Sequence, residues 1–162
     1  VVPDIITLSK ALTGGTMALS AAVARTYIFE AFLSKDPVHA LMHGPTYMAN
    51  PLACAAALGS LDLFETEPRL AQVARISERL RVGLAPCQDL PAVRDVRVLG
   101  AIGVVELDSI ENLPALKASL VEAGVWVRPF RNIVYLTPAF TISDEDLHHL
   151  TSSIHTVLAG LP

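Results

Sequence analysis

Val1-Val2-Pro3-Asp4-Ile5-Ile6-Thr7-Leu8-Ser9-Lys10-Ala11-Leu12-Thr13-Gly14-Gly15 is the stretch on which the fold reading turns. The run up to Ser9 is rich in β-branched residues, as expected of a strand buried on both faces of a parallel sheet. In an open α/β sheet the carboxyl end of such a strand is where ligands bind, so Lys10 is delivered to a candidate site and followed at once by a glycine turn. By position alone a strand-end lysine reads as a solvated surface charge. The alternative is an amine held in a cavity, the kind of nucleophile that carbonyl chemistry requires. Gly14 and Gly15 suit close approach of a ligand, or simply a turn.

A second island, His43-Gly44-Pro45-Thr46-Tyr47-Met48-Ala49-Asn50-Pro51, opens an alanine-rich segment. Asn50 is a good helix cap and Pro51 suits the first helical position, so a helix is expected from there to about Glu65. Gly44, Pro45 and Thr46 precede it with backbone donors and a hydroxyl of the kind that grips a phosphate, although the same residues also make ordinary turns.

Between the islands, Met17 to Ala24 reads as a strand, Tyr27 to Leu33 as a short helix, and Ser34 to Asn50 as mostly loop. After Glu67-Pro68, Leu70, Val73, Ile76, Leu80 and Leu84 recur at helical spacing until Pro86, which predicts an amphipathic, domain-linking helix. From Val93 the texture becomes α+β. Val93 to Val98 alternates as a strand, Ala101 to Leu107 is a further strand, and Leu113 to Glu122 reads as a helix ending at Gly124. Val125 to Arg128 and Ile133 to Leu136 read as strands, and Ser143 with Asp146 forms a capping box for a last helix through Leu147, Leu150, Ile154 and Val157.

Composition excludes several function classes. The chain has 162 residues and a net charge of −4 with no basic cluster, which argues against nucleic acid as its ligand. Mean hydropathy is +0.47, but Arg25, Glu30, Lys35 and Asp36 interrupt the first half and no uncharged apolar stretch reaches the ~18 residues of a membrane span. A soluble, cytoplasmic protein is expected, with no secretory leader within these residues. Cys54 and Cys87 lack metal-site spacing and read as reduced thiols, and the five histidines form no ligand set, so no metal is expected. Trp126 and Tyr47 read as core or interface aromatics. Charged residues make up only 17% of the chain, below the usual quarter, which leaves apolar surface intended for something outside it.

Four islands in order, Lys10-Ala-Leu-Thr-Gly-Gly, His43-Gly-Pro-Thr-Tyr-Met-Ala-Asn-Pro, Val98-Leu-Gly-Ala-Ile-Gly-Val-Val-Glu and Val125-Trp-Val-Arg-Pro-Phe, resemble the class III aminotransferases, which are fold-type I pyridoxal phosphate enzymes. The resemblance runs from about Val1 to about Leu158. It implies that Lys10 carries pyridoxal 5'-phosphate as a Schiff base and moves protons as a free amine. It implies too that Gly44, Pro45 and Thr46 form a phosphate cup serving the cofactor of a neighbouring subunit, so that a homodimer with shared active sites is required. Arg128 is implied to hold a substrate carboxylate, for which a planar guanidinium is suited. Its default reading is a surface ion pair. Arg131 has no motif support.

The fold expected on this resemblance is α/β, the carboxyl-terminal part of the fold-type I transferase. Residues 1–66 would complete the cofactor-binding large domain, and residues 67–162 would form a linking helix and a small α+β domain. The family's upstream phosphate loop, ring-stacking aromatic and ring-nitrogen aspartate have no counterpart in these residues, so the amino-terminal half of the enzyme is expected as a partner and the chain alone is expected to be inactive. Two alternatives stand beside this reading, a class III transaminase for another amine and a truncated dimerisation domain without catalysis.

Overall fold

The computed structural model describes residues 2–161; Val1, where the first expected strand begins, lies outside them. The chain divides into two compact units, Val1–Glu67 and Pro68–Pro162.

In the first unit β1 (Ile5–Leu8) pairs with β2 (Ala21–Ala24), from Ile5 opposite Ala24 to Leu8 opposite Ala21. The pairing is antiparallel, and all four side chains of β1 are exposed. The expected buried parallel strand is therefore corrected. The β-branched run does form a strand, but among the described residues it is bonded to β2 alone, and Ile5, Ile6 and Val23 are exposed. Helix α1 (Thr26–Glu30) is shorter than its apolar pattern suggested, and between it and Asn50 only a 3-10 turn at Pro37–His39 interrupts the loop.

Helix α2 (Pro51–Thr66) begins where the sequence places it: the Asn50 side chain accepts from Leu52 N at 3.0 Å and Ala53 N at 3.4 Å. These bonds satisfy two of the free amides at a helix start. It ends at Glu67, whose extended backbone is the geometry a residue before proline prefers.

The second unit has an antiparallel sheet in the order β3-β4-β5, from β3 (Val93–Leu99), β4 (Ile102–Leu107) and β5 (Ile133–Leu136). Its core comprises Val105, Leu107, Val134 and Leu136 from the sheet, Ile76, Leu80 and Leu84 from α3 (Arg69–Leu84), Leu116 and Leu120 from α4 (Leu113–Glu122), and Leu147, Ile154 and Leu158 from α5 (Asp144–Ala159). Helix α3 thus contributes its apolar face to the core of this unit. A Cβ at Gly103 would sit 2.9 Å from Leu84 Cδ1, and one at Gly83 2.8 Å from Thr151 Cβ. The helix needs both glycines to approach β4 and α5 this closely.

Helix α4 closes on Gly124 at φ 80, with Val125 N donating to Leu120 O at 3.0 Å and Gly124 N to Val121 O at 2.9 Å. That is a Schellman ending. Helix α5 opens on Ser143, whose Oγ accepts from Asp146 N at 3.0 Å and donates to Asp146 Oδ2 at 2.6 Å. Asp146 therefore answers the cap through the hydroxyl. The expected strand at Val125–Arg128 is also corrected: the segment belongs to no strand, and only Phe130 bridges to Ile133. Burial nonetheless alternates, with Val125 and Pro129 buried and Trp126, Arg128 and Phe130 exposed. The period of two survives without a ladder, since Pro129 has no N–H to give one. No helix among the described residues is long and apolar enough to cross a membrane.

Candidate active site

Lys10 opens a 3-10 turn, Lys10–Thr13, directly after the extended Ser9. Its φ of 51 places a non-glycine residue in the left-handed region, a conformation costing about 1–3 kcal/mol that persists only where surrounding bonds enforce it. Those bonds are present. Thr13, 2% exposed, donates its hydroxyl to Met17 O at 2.6 Å, Thr16 Oγ1 donates to Thr13 O at 2.8 Å, and Gly14 N donates to Ala11 O at 3.1 Å. From α2, Ser60 Oγ also donates to Ala11 O, at 3.1 Å. The turn is a braced platform, and the Lys10 side chain projects from it exposed.

Gly44, Pro45 and Thr46 form an exposed loop before α2. Met48 N donates to Pro45 O at 2.9 Å, and Ala49, at φ 53, turns the chain into the Asn50 cap. Asn50 is committed to capping, whereas the Thr46 hydroxyl has no hydrogen-bond partner among the described residues. The Ser60 contact lies ten residues beyond Asn50, about 15 Å along the α2 axis. The lysine turn is therefore bonded to the middle of α2, whereas the Gly44-Pro45-Thr46 loop precedes its first turn.

Arg128 lies in the second unit. Its guanidinium stacks 5.1 Å from the centroid of the Trp126 ring, and it lines a groove of about 560 Å³ together with Lys117, Val121, Trp126, Phe130 and Tyr135. A smaller groove of about 310 Å³ meets the same arginine beside Thr137 and Leu150. Arg131 sits instead at φ 53 in the two-residue turn closed by Phe130 N to Ile133 O at 2.8 Å, with its guanidinium 5.5 Å from the Phe130 ring. The turn is held by Asn132 Nδ2, which donates to Leu107 O at 3.0 Å. Arg131 thus belongs to a turn. Trp126 is 76% and Tyr47 85% exposed, so neither is a core aromatic.

These donor types suit a cofactor with an aldehyde and a phosphate: a primary amine on a braced turn, and a hydroxyl without a partner in a glycine-proline loop. The family model of aminotransferase class-III matches residues 1–158. The chain belongs to the class III aminotransferases. Among curated members of that family, the adenosylmethionine-8-amino-7-oxononanoate aminotransferases of Corynebacterium glutamicum and Buchnera aphidicola are 41% and 44% identical to it over 158 residues, 98% of this chain and 37% of each relative. The chain thus spans a little over a third of the length of these relatives.

Solved aminotransferases agree with this chain in backbone. The adenosylmethionine-8-amino-7-oxononanoate aminotransferase of Methanocaldococcus jannaschii superposes with a TM-score of 0.87 at 28% identity, covering 96% of this chain and 38% of that one. A PLP-bound amine transaminase from an uncultivated Pseudomonas species does so with 0.87 at 30%, covering 97% and 38%. The fold is that of PLP-dependent aminotransferases, of which this chain forms an α/β part.

Sequence reasoning missed Ser60, Lys117 and Tyr135. A lone serine in an alanine-rich helix carries no signal, and the other two acquire their setting only when α4 and β5 meet the 125–130 segment.

Proposed function

We propose that this chain supplies the lysine and the substrate-carboxylate arm of a pyridoxal phosphate-dependent transamination. The amino group would move from S-adenosylmethionine to 8-amino-7-oxononanoate, giving 7,8-diaminononanoate for biotin. In this reading residues 1–66 belong to the large cofactor domain and residues 67–162 to the small domain. The observation that carries it is Lys10 on its braced left-handed turn, in a chain whose relatives at 41–44% identity bear that activity's name.

The cofactor, when bound, supplies an electron-withdrawing ring that acidifies the amino-bearing carbon. Lys10 Nζ would hold the cofactor, and the same amine would carry the proton to and from that carbon. The Thr46 hydroxyl, with Gly44 and Pro45 shaping its loop, donates to the phosphate. Arg128, its guanidinium plane resting on Trp126, receives the carboxylate at the far end of the substrate by two parallel N–H donors.

Thr46 is assigned to the cofactor of a second copy, which makes the active unit a homodimer that includes the remainder of the family's fold. The separation of Thr46, which precedes the first turn of α2, from the lysine turn, which is bonded to Ser60 in mid-helix, supports that assignment. Cys54 and Cys87 are unbridged, in keeping with a cytoplasmic setting.

Borohydride reduction of the cofactor-loaded protein followed by peptide mapping tests the reading. Pyridoxyl mass on the peptide containing Lys10 is expected, and its absence overturns the proposal. A second reading, an amine transaminase with another substrate, is favoured by the Pseudomonas neighbour. It predicts activity that is indifferent to Arg128→Gln.

A further inference from the structure

We infer that Lys117 is a specificity-determining residue of the Arg128 groove, a second cation that selects ligands whose unbranched apolar chain ends in a carboxylate. The inference rests on the assignment of Arg128 above and goes beyond it.

Lys117 stands on α4 one turn before Val121, so both side chains share a helix face, and that face walls the groove of about 560 Å³ opened by the 125–130 segment. Two cations from separate elements thus border one space, and no acidic residue lines it. Neither forms an ion pair among the described residues, whereas Arg25, Arg75, Arg79, Arg94 and Arg97 all do. In a chain of net charge −4, this is unneutralised positive charge concentrated at a concavity, where it attracts an anion and repels a cation.

The rest of the wall narrows the ligand class. Val121, Trp126 and Phe130 are 59%, 76% and 59% exposed, so a small inorganic anion would meet the cations and leave the apolar wall wet. A hydrocarbon would cover the wall and leave both cations unanswered. An aliphatic carboxylate satisfies both, and Tyr135 adds a phenol on the same lining.

Trp126 is the one tryptophan of the chain and stands in the groove, so its fluorescence reports occupancy directly. Nonanoate, nonylammonium and acetate are titrated into the full chain and into Lys117→Gln, Lys117→Arg and Arg128→Gln, with circular dichroism confirming that each folds. Lys117 is exposed, so its variants keep the core intact. Saturable nonanoate binding is expected, weakened about threefold to fivefold by Lys117→Gln and restored by Lys117→Arg, with no saturation by nonylammonium or acetate. A change below about 1.5-fold in Lys117→Gln overturns the inference, as does nonylammonium binding as well as nonanoate or an unresponsive native chain. Weakening by Lys117→Gln but not by Arg128→Gln upholds Lys117 and removes Arg128 from the proposed function. Cofactor attachment at Lys10 is read separately by mass, so the two failures are distinguishable.

Discussion

The hydroxyl of Ser60 donates to the carbonyl oxygen of Ala11 at 3.1 Å across 49 residues of sequence, tying helix α2 to the turn whose first residue is Lys10. A hydrogen bond of this kind contributes about 1 kcal/mol net. Its greater consequence is positional, because Ala11 directly follows the residue held at φ 51 and the bond fixes its carbonyl within the same 3-10 turn. Ser60→Ala is expected to lower stability by about 1 kcal/mol and to slow covalent attachment of the cofactor, leaving nonanoate binding unchanged. An attachment rate equal to that of the native protein removes the positioning role.

Lys10 separates chemistry from strain. Lys10→Ala and Lys10→Gly should both lose covalent cofactor, yet glycine tolerates the left-handed backbone that alanine does not. Lys10→Gly is therefore expected to be more stable than Lys10→Ala by about 1 kcal/mol. Denaturant melts compare the two, and alanine being equal or better would mean the turn relaxes when the lysine is lost.

The shared-site proposal makes a prediction by complementation. In a dimer mixing Lys10→Ala with Thr46→Ala chains, one of its two sites would have both residues intact. Random mixing should then restore about a quarter of the native sites. If Thr46 served its own chain's cofactor, every site would carry one lesion and mixing would restore nothing, which steady-state rates after subunit exchange would reveal.

Asp144 sets an acid limit on the second unit. Hydrogen bonds first from Arg75 and then from Arg79 hold its carboxyl below the usual range. Arg75 also donates to Ile142 O at 2.6 Å, so α3 grips the entry to α5. A carboxyl depressed in the folded state stabilises above its unfolded value of about 3.9 and loses that contribution as pH falls through the folded one. The Arg97 hydrogen bond gives Glu106 the same sign. Asp144→Asn should flatten the acid limb of a stability profile between about pH 5 and 2. An unchanged limb would exclude Asp144 as a source of acid lability.

Cys87 acts at the other end of the scale. Burial pushes its thiol up to about 11. The unfolded thiol ionises near 8.5, so stability is fully present below that pH and declines as pH rises toward the folded value. Cys87→Ala should remove this alkaline decline at the expense of some packing. In the native protein Cys54, which is half-buried, should react with iodoacetamide well before Cys87, as timed mass spectrometry would record.

Local signals carried much of this chain without help. Asn50-Pro51, Glu67-Pro68, Gly124 and Ser143 mark helix ends within a residue or two of where the structure has them, because a cap is satisfied by its own neighbours. The alternation of Val93 to Val98 and the apolar spacing of α3 were legible for the same reason. The Val125–Arg128 segment was not, since alternation records which side chains are buried and says nothing of whether a backbone finds a ladder partner. Nor was the pairing of β1. An apolar strand looks alike in parallel and antiparallel sheets, and only the returning chain at Ala21–Ala24 chose.

The sequence by itself determined the helix termini, the candidate amine at Lys10, the Gly44-Pro45-Thr46 loop and the family resemblance, all of which depend on residues adjacent along the chain. Tertiary structure alone decided that a serine 49 residues away braces the lysine turn, that Arg128 lies on Trp126, and that Lys117 faces the same groove. Each of these joins residues brought close by packing, and proximity in space leaves no periodic trace along a single sequence.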